Sequence, residues 1–344
     1  MTKARHPTVR DVARHARVSP GTVSRVMRGH RAVAEDTRCR VLAAVDALGY
    51  TPHTAATRLS TGRSLVIGVV VPFSTRPSVS ERLNGVVQSL ADSSYDLVIH
   101  NVERPDQRAR CFRELPRRRD ADGLLFISLA PREAEVRALV ESHVPVVLVD
   151  ADHRELTALS RVVVDDEAGG HSATTHLIGL GHRRIGFLGD AVAPGFGFTS
   201  SRDRYRGYKR ALREAGLELR ADDCATGEHS RVEARALARR LLSRARRPSA
   251  LVAASDTQAV GALEAAHELR LRVPEDVSLV GYDDIEIAEL LGLTTVRQPL
   301  AHSGRRGADL LLDRLRDPGV ASVREVLPTE LVKRRTTAPP PPQR

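Results

Sequence analysis

The sequence predicts an α/β protein in two parts: a small cationic helical module at the amino end, then two lobes of doubly wound parallel sheet. Three observations carry this. From Leu65 to about Lys333, short apolar, β-rich runs alternate with helical stretches. Residues 1–50 hold short amphipathic helices separated by tight turns. Charge is unevenly placed: residues 1–63 carry 12 Lys/Arg against 4 Asp/Glu, whereas the remaining 281 carry 41 against 39. An arginine bias from base composition would act along the whole chain, so the local excess points to a polyanion-binding module.

The strand candidates are Val66–Val71, Asp96–His100, Gly123–Ile127, Val146–Val149, Arg161–Val164, Ile185–Leu188, Ala250–Ala253, Ser278–Gly281 and Thr295–Arg297. Most are unbroken apolar runs, as expected of strands covered on both faces. Helical stretches such as Arg204–Ala215 and Val232–Arg244 separate them. So many strands exceed one comfortable sheet, which argues for two lobes with a ligand cleft at the strand carboxyl ends. Residues 51–64 read as a linker or hinge, and the Pro-rich tail, 336–344, as disordered. No apolar run reaches the ~18 residues of a membrane span. The charged start lacks the apolar region of a secretory signal, so a cytoplasmic location is expected. Cys39, Cys111 and Cys224 are scattered without metal spacing, and no metal or cofactor is expected.

In the amino-terminal module, Thr8 caps a first helix, with Asp11 at its third position. Ser19 caps a second helix, with Pro20 at its first position. Val23 and Val26 face inward with Val12 and Ala13, leaving Thr22 and Arg25 together on the outward face. A third helix, about Glu35–Leu48, carries Val41, Leu42, Val45 and Leu48 on one stripe and ends at Gly49. This is helix-turn-helix geometry, whose second helix enters the DNA major groove. It places Ser19, Thr22 and Arg25 at base edges, Arg25 pairing with guanine, and Thr8, Ser24, Arg28 and Tyr50 on phosphates. The alternative, a helical bundle with a solvated basic face, is disfavoured by the charge asymmetry.

The stretch TVRDVARHARVSPGTVSRVMRG, with LGYTP at 48–52, resembles the headpiece of the lactose-repressor (LacI/GalR) family of transcription regulators. The resemblance continues to about Lys333 through VIGVVVP, DGLLFIS, VDDEAGG, HLIGLGHRRIGFLG and SLVGYDDIEIAELL in order. It implies a DNA-binding headpiece at 1–50, a hinge helix at 51–64 and a periplasmic-binding-protein-like domain at 65–335 for effector binding and dimerisation. The N-lobe would take about 65–161 and 294–320, the C-lobe about 162–293 and 321–335. It further implies a homodimeric regulator, more often a repressor, on a near-palindromic operator, with Leu59 wedged into a minor-groove step. Several positions depart from the pattern, among them Arg28, where an asparagine is often found. Arg17 stands where glycine is usual, Ala34 where a serine cap is usual, and Pro20-Gly21 where bases are commonly read, which leaves specificity to Ser19, Thr22, Arg25 and DNA shape.

The effector implied is a small molecule, often a sugar or nucleobase, contacting Phe73, Val79, Asp150, Arg204, Ser255 and Asp283. Paired aspartate acceptors and a guanidinium fork suit a hydroxyl-rich ligand. Asp256 and Asp284 read instead as helix caps or lobe-structure residues. The first pocket loop, 73–79, lacks an aromatic platform unless Phe73, Phe196 or Phe198 supplies one, which leaves a non-sugar or anionic effector open. An enzyme is not expected: no GxSxG elbow, Walker motif or metal-spaced histidine set occurs, and His171, His176 and His182 read as surface or capping residues. A solute-binding protein would need a secretory signal and would have no use for the basic headpiece.

Overall fold

A computed structural model describes residues 7–27, 32–50, 63–118, 120–142, 144–152, 156–191 and 195–341. The chain divides into two units, Met1–Leu65 and Val66–Arg344. In the first, α1 (Val9–Ala16), α2 (Pro20–Met27) and α3 (Glu35–Leu48) close over a core of Val12, Ala13, Ala16, Val23, Val26, Val41 and Ala44. Asp11 accepts hydrogen bonds from the Thr8 backbone N–H (2.9 Å) and hydroxyl (2.7 Å), fixing the start of α1. Arg17 ends that helix at φ 54°, ψ 48°, so an arginine occupies the left-handed conformation at a cost of roughly 1–2 kcal/mol relative to glycine. Ala34 begins α3 with no side-chain cap. Leu42 is 45% exposed and does not belong to the buried stripe: it sits about 100° around the helix from Val41, whereas Ala44, Val45 and Leu48 share Val41's face.

The second unit holds two six-stranded sheets. The N-lobe sheet contains β1 (Val66–Pro72), β2 (Asp96–Val102), β3 (Gly123–Ile127), β4 (Val146–Val149), β5 (Ser160–Val164) and β11 (Arg324–Leu327) in the order β11-β5-β4-β3-β1-β2, all parallel. It is flanked by α4 (Pro77–Leu90), α5 (Pro105–Glu114), α6 (Glu133–Val140) and α12 (Leu300–Arg316). The C-lobe sheet contains β6 (Ile185–Asp190), β7 (Cys224–Gly227), β8 (Ala250–Ala253), β9 (Ser278–Asp283), β10 (Thr294–Arg297) and β12 (Glu330–Val332), ordered β12-β10-β9-β8-β6-β7. Only β12 runs antiparallel. Around it lie α7 (Asp166–Gly179), α8 (Ser200–Glu214), α9 (Arg231–Leu242), α10 (Asp256–Glu268) and α11 (Glu286–Leu291).

All nine expected strands form, and β7, β11 and β12 are additional. The expected lobe boundaries need correction. The whole of β5 lies in the N-lobe sheet, β10 in the C-lobe sheet and β11 in the N-lobe sheet. The chain changes lobe in the short links Asp165, 298–299 and 328–329, two of them with a proline, because an apolar strand such as β10, whose Val296 is fully buried, cannot be left between cores. The tail also needs correction over its described part. Thr336 is buried, donates to Leu279 O (2.7 Å) and accepts from Thr294 N–H (2.9 Å), and Ala338 N–H donates to Ser278 Oγ (3.0 Å). Prolines suit this docked strap because they bring no N–H that needs a partner; residues 342–344 lie outside the described part.

Candidate functional site

On the headpiece, α2 carries its small polar residues at the amino end. Ser19 Oγ accepts the Thr22 N–H (3.1 Å) and lies 2.9 Å from Thr22 Oγ1, so two hydroxyls share one contact and a proton is left to donate outward. Arg25 is exposed and has no ion pair among the described residues, while Val23 and Val26 anchor the opposite face. Ser24 is half-buried. Thr8 directs both its backbone and hydroxyl donors to Asp11, so the structure offers it to a phosphate less than the sequence did. Tyr50 packs against the headpiece core. Arg28 and Leu59 lie outside the described residues.

In the second unit the strand carboxyl ends face each other across the lobes. Phe73 (φ 45°), Ser128 (φ 55°) and Asp150 (φ 57°) follow β1, β3 and β4, and Asp283 (φ 115°) closes β9. Non-glycine residues held at positive φ store about 1–3 kcal/mol each and gather at ligand clamps. The cavity that Ser128, Asp150 and Asp283 border is about 60 Å³, room for a few waters. A larger ligand must therefore part the lobes or shift side chains. Its lining brings together Val79, Asp150, Arg204 and Asp283 of the expected set.

Two close helix crossings position the charges. A Cβ on Gly207 of α8 would lie 2.0 Å from Glu167 O of α7, and one on Gly304 of α12 would lie 1.9 Å from Arg82 O of α4. Arg204 is thereby drawn under the sheet, where Nε donates to Asp166 Oδ1 (2.8 Å) and Nη1 to Ala254 O (2.5 Å), with Asp283 Oδ1 at 3.5 Å and the Tyr282 ring 3.7 Å away. Arg82 reaches Asp150 Oδ2 (3.1 Å) and Gln298 Oε1 (3.1 Å), and Gln298 Nε2 donates to Asp283 Oδ1 (2.5 Å). Ser128 Oγ donates to Asp150 Oδ2 (2.6 Å). Asp190 meets His229 Nδ1 (3.0 Å) and accepts from Gln258 Nε2 (2.9 Å). Burial pushes the Asp166 carboxyl up to about 6 even beside Arg204, and burial raises Asp283 as well. Burial works against the Arg204 charge, but Asp166 and Asp283 outweigh it.

Two expected contacts fall elsewhere. Ser255 does not line the cleft: its Oγ accepts the Gln258 N–H (3.2 Å) and caps α10. Phe73 stands behind the lining, its ring tilted against that of Phe196 (5.5 Å between centroids) with Arg76 4.0 Å above it. Sequence reasoning missed Arg76, Arg82, Asp190, His229 and Gln298; Phe198, raised only as a substitute platform, does line the cleft.

Asp256 is buried behind this site, accepting from Thr295 Oγ1 (2.6 Å) and Ile285 N–H (3.0 Å). Burial, with Asp283 and Asp284 nearby, pushes its carboxyl up to about 8. A folded pKa above the unfolded one gives stability that is complete below about pH 4 and is lost as pH rises through the folded value. Melting temperature is therefore expected to fall as pH rises toward about 8 and to level off above it, the stretch from pH 7 to 8 lying above the histidine range. Asp256→Asn, whose amide can accept from Ile285 and donate to Thr295, should flatten that fall in thermal melts; an equally steep fall in the variant would contradict the assignment.

A helix-turn-helix module in the same chain as a two-lobed domain with a charged cleft at its sheet ends is the build of a DNA-binding regulator with a small-ligand domain. Residues 8–53 match the family model for bacterial regulatory proteins of the lacI family, and residues 174–337 that for the periplasmic binding protein-like domain. The chain is 33% identical to the ribose operon repressor of Escherichia coli (strain K12) over 330 residues, covering 95% of this chain and 98% of that one. It is also 33% identical to the HTH-type transcriptional repressor PurR of Vibrio vulnificus (strain CMCP6) over 313 residues, 90% and 92% of the two chains. Among solved structures, the lac repressor dimer bound to operator and the anti-inducer ONPF is similar with a TM-score of 0.85 at 27% identity, covering 97% of this chain and 100% of that one. The chain belongs to the LacI family, and it is a DNA-binding transcriptional regulator.

Proposed function

We propose that this chain is a homodimeric repressor acting in the cytoplasm, which reads a near-palindromic operator through Ser19, Thr22 and Arg25 and binds a small polar effector in the cleft without turning it over. The observation that carries the reading is the outward face of exposed Ser19 and Arg25 with half-buried Thr22, on a headpiece holding most of the net charge. A symmetric pair of such helices reads two half-sites. The repressor names of its relatives and the anti-inducer in the lac repressor complex support repression under effector control. Effector binding shifts lobe closure only through its differential affinity for the two lobe arrangements.

The test is selection of an operator from random duplexes, followed by fluorescence anisotropy across a salt series. Arg25→Ala should weaken the selected operator by about tenfold to hundredfold, roughly 1–3 kcal/mol, and relax base preference at one position per half-site. Helix content should be unchanged, since the side chain is exposed and makes no hydrogen bond or ion pair among the described residues. Unchanged operator affinity would remove Arg25 from base recognition, and no selective binding at low salt would remove the function.

A further inference from the structure

The charged groups lining the cleft are almost all committed to one another. Asp150 is held by Arg82 and Ser128, Asp283 by Gln298 and Arg204, and Asp190 by His229 and Gln258. Arg76 differs. It lines the same cavity, is only partly exposed, and makes no hydrogen bond or ion pair with its side chain among the described residues. Its guanidinium is positioned by rings instead, 4.0 Å above Phe73 and 5.7 Å from Phe198. Asp190 and Glu228 act on it only through space, and burial opposes its charge more than they support it.

The loop beneath it is built for this placement. Phe73 is held at φ 45°, a conformation unfavourable for phenylalanine, and its ring supports the guanidinium. The turn is fixed on both sides: Ser74 N–H donates to Asn101 Oδ1 (2.8 Å) and Ser80 Oγ to Ser74 O (3.2 Å). A planar cation with five N–H donors, fixed in place with those donors unused and facing a cavity, matches a carboxylate or phosphate, which takes the fork in two parallel bonds. A neutral hydroxyl gives that fork no compensating charge.

The geometry points to an effector that carries an anionic group, a carboxylate or phosphate on a small polyhydroxyl body, received by Arg76. This rests on the cleft being the effector site. The committed network of Asp150, Arg82, Gln298, Asp283 and Arg204 meets the hydroxyls, and Arg76 selects the charged end.

The experiment uses the full chain without DNA and compares matched pairs at equal concentration by calorimetry: ribose with ribose 5-phosphate, glucose with glucose 6-phosphate, and galactose with galacturonate. At least one charged member should bind about tenfold or more tightly than its neutral partner. The phosphate and carboxylate arms identify which anion is taken. Arg76→Gln should abolish the preference while leaving the ligand-free melting temperature unchanged, and Arg76→Lys should restore part of it. Neutral members binding as well as charged ones, no charged member binding, or a preference that survives in Arg76→Gln would each overturn the assignment. Operator affinity, measured separately, stays intact in Arg76→Gln, so failure here is distinct from failure of the regulator itself.

Discussion

Arg204→Met is expected to destabilise the regulatory unit by about 3–5 kcal/mol and to abolish effector binding, because it leaves two buried carboxylates without their cation. The guanidinium bridges three elements at once: Asp166 at the start of α7, Asp283 at the end of β9 and the Ala254 carbonyl after β8. Methionine fills much of the volume and keeps contact with Tyr282, so the loss reports charge rather than a cavity. Asp166 and Asp283, already raised by burial, would rise further and take up protons. The variant should therefore be least impaired at low pH, an outcome a simple packing defect would not give. Arg204→Lys keeps the charge but cannot span Asp166 and Ala254 together, and should recover only part of the loss. Urea unfolding at pH 5 and pH 8 measures both effects; a loss under about 1 kcal/mol, or one independent of pH, would contradict the role assigned to the pair.

The sequence announces some of this site and conceals the rest for physical reasons. Strands such as β1 and β3 are legible because burial on both faces demands unbroken apolar runs, whereas β11 (REVL) and β12 (ELV) are short and charged, pairing at sheet edges. Arg204 and Asp283 lie in local motifs and could be placed from them. Arg82 looks like a surface helix arginine. Its clue is register: it shares the face of Val79 and Val86, both buried, so an arginine on that stripe must find a partner inside. Gln298 and His229 come from loops, and only the tertiary fold brings them to the cleft. Ser255 illustrates the opposite error. Ser255-Asp256-Thr257-Gln258 is a capping-box pattern, and the local role of the hydroxyl, capping α10, prevails over ligand contact. The docked tail is concealed because proline-rich composition is common to disordered segments and to extended straps, and only the first residues of β9, Ser278 and Leu279, which β10 does not reach, decide between them.

The second large effect is expected at a contact between the lobes. After β6 the C-lobe chain reaches across to the N-lobe, where Phe196 is 7% exposed within the cluster of Leu129, Phe126 and Phe112. Arg108, fully buried on α5, binds Glu135 through two parallel hydrogen bonds (2.9 and 2.8 Å) and donates from Nε to the Phe196 carbonyl (2.8 Å). One N-lobe arginine thus holds the backbone of a C-lobe strap whose ring is also docked in the N-lobe core. Phe196→Ala should lose about 3–5 kcal/mol of burial, all of it from the docked arrangement. Arg108→Met should lose a comparable amount by leaving Glu135, which keeps only the Arg132 N–H (2.7 Å), without its cation and the Phe196 carbonyl without its donor. If the strap holds the lobes together, both variants share a signature: faster hydrogen exchange at 195–198, a larger radius of gyration and weaker binding at the cleft, with operator binding by the headpiece retained. A Phe196→Ala variant that melts lower but keeps its radius and effector affinity would show the ring to be core packing alone. The two outcomes separate because the carbonyl contact survives loss of the ring, whereas Arg108→Met removes it directly.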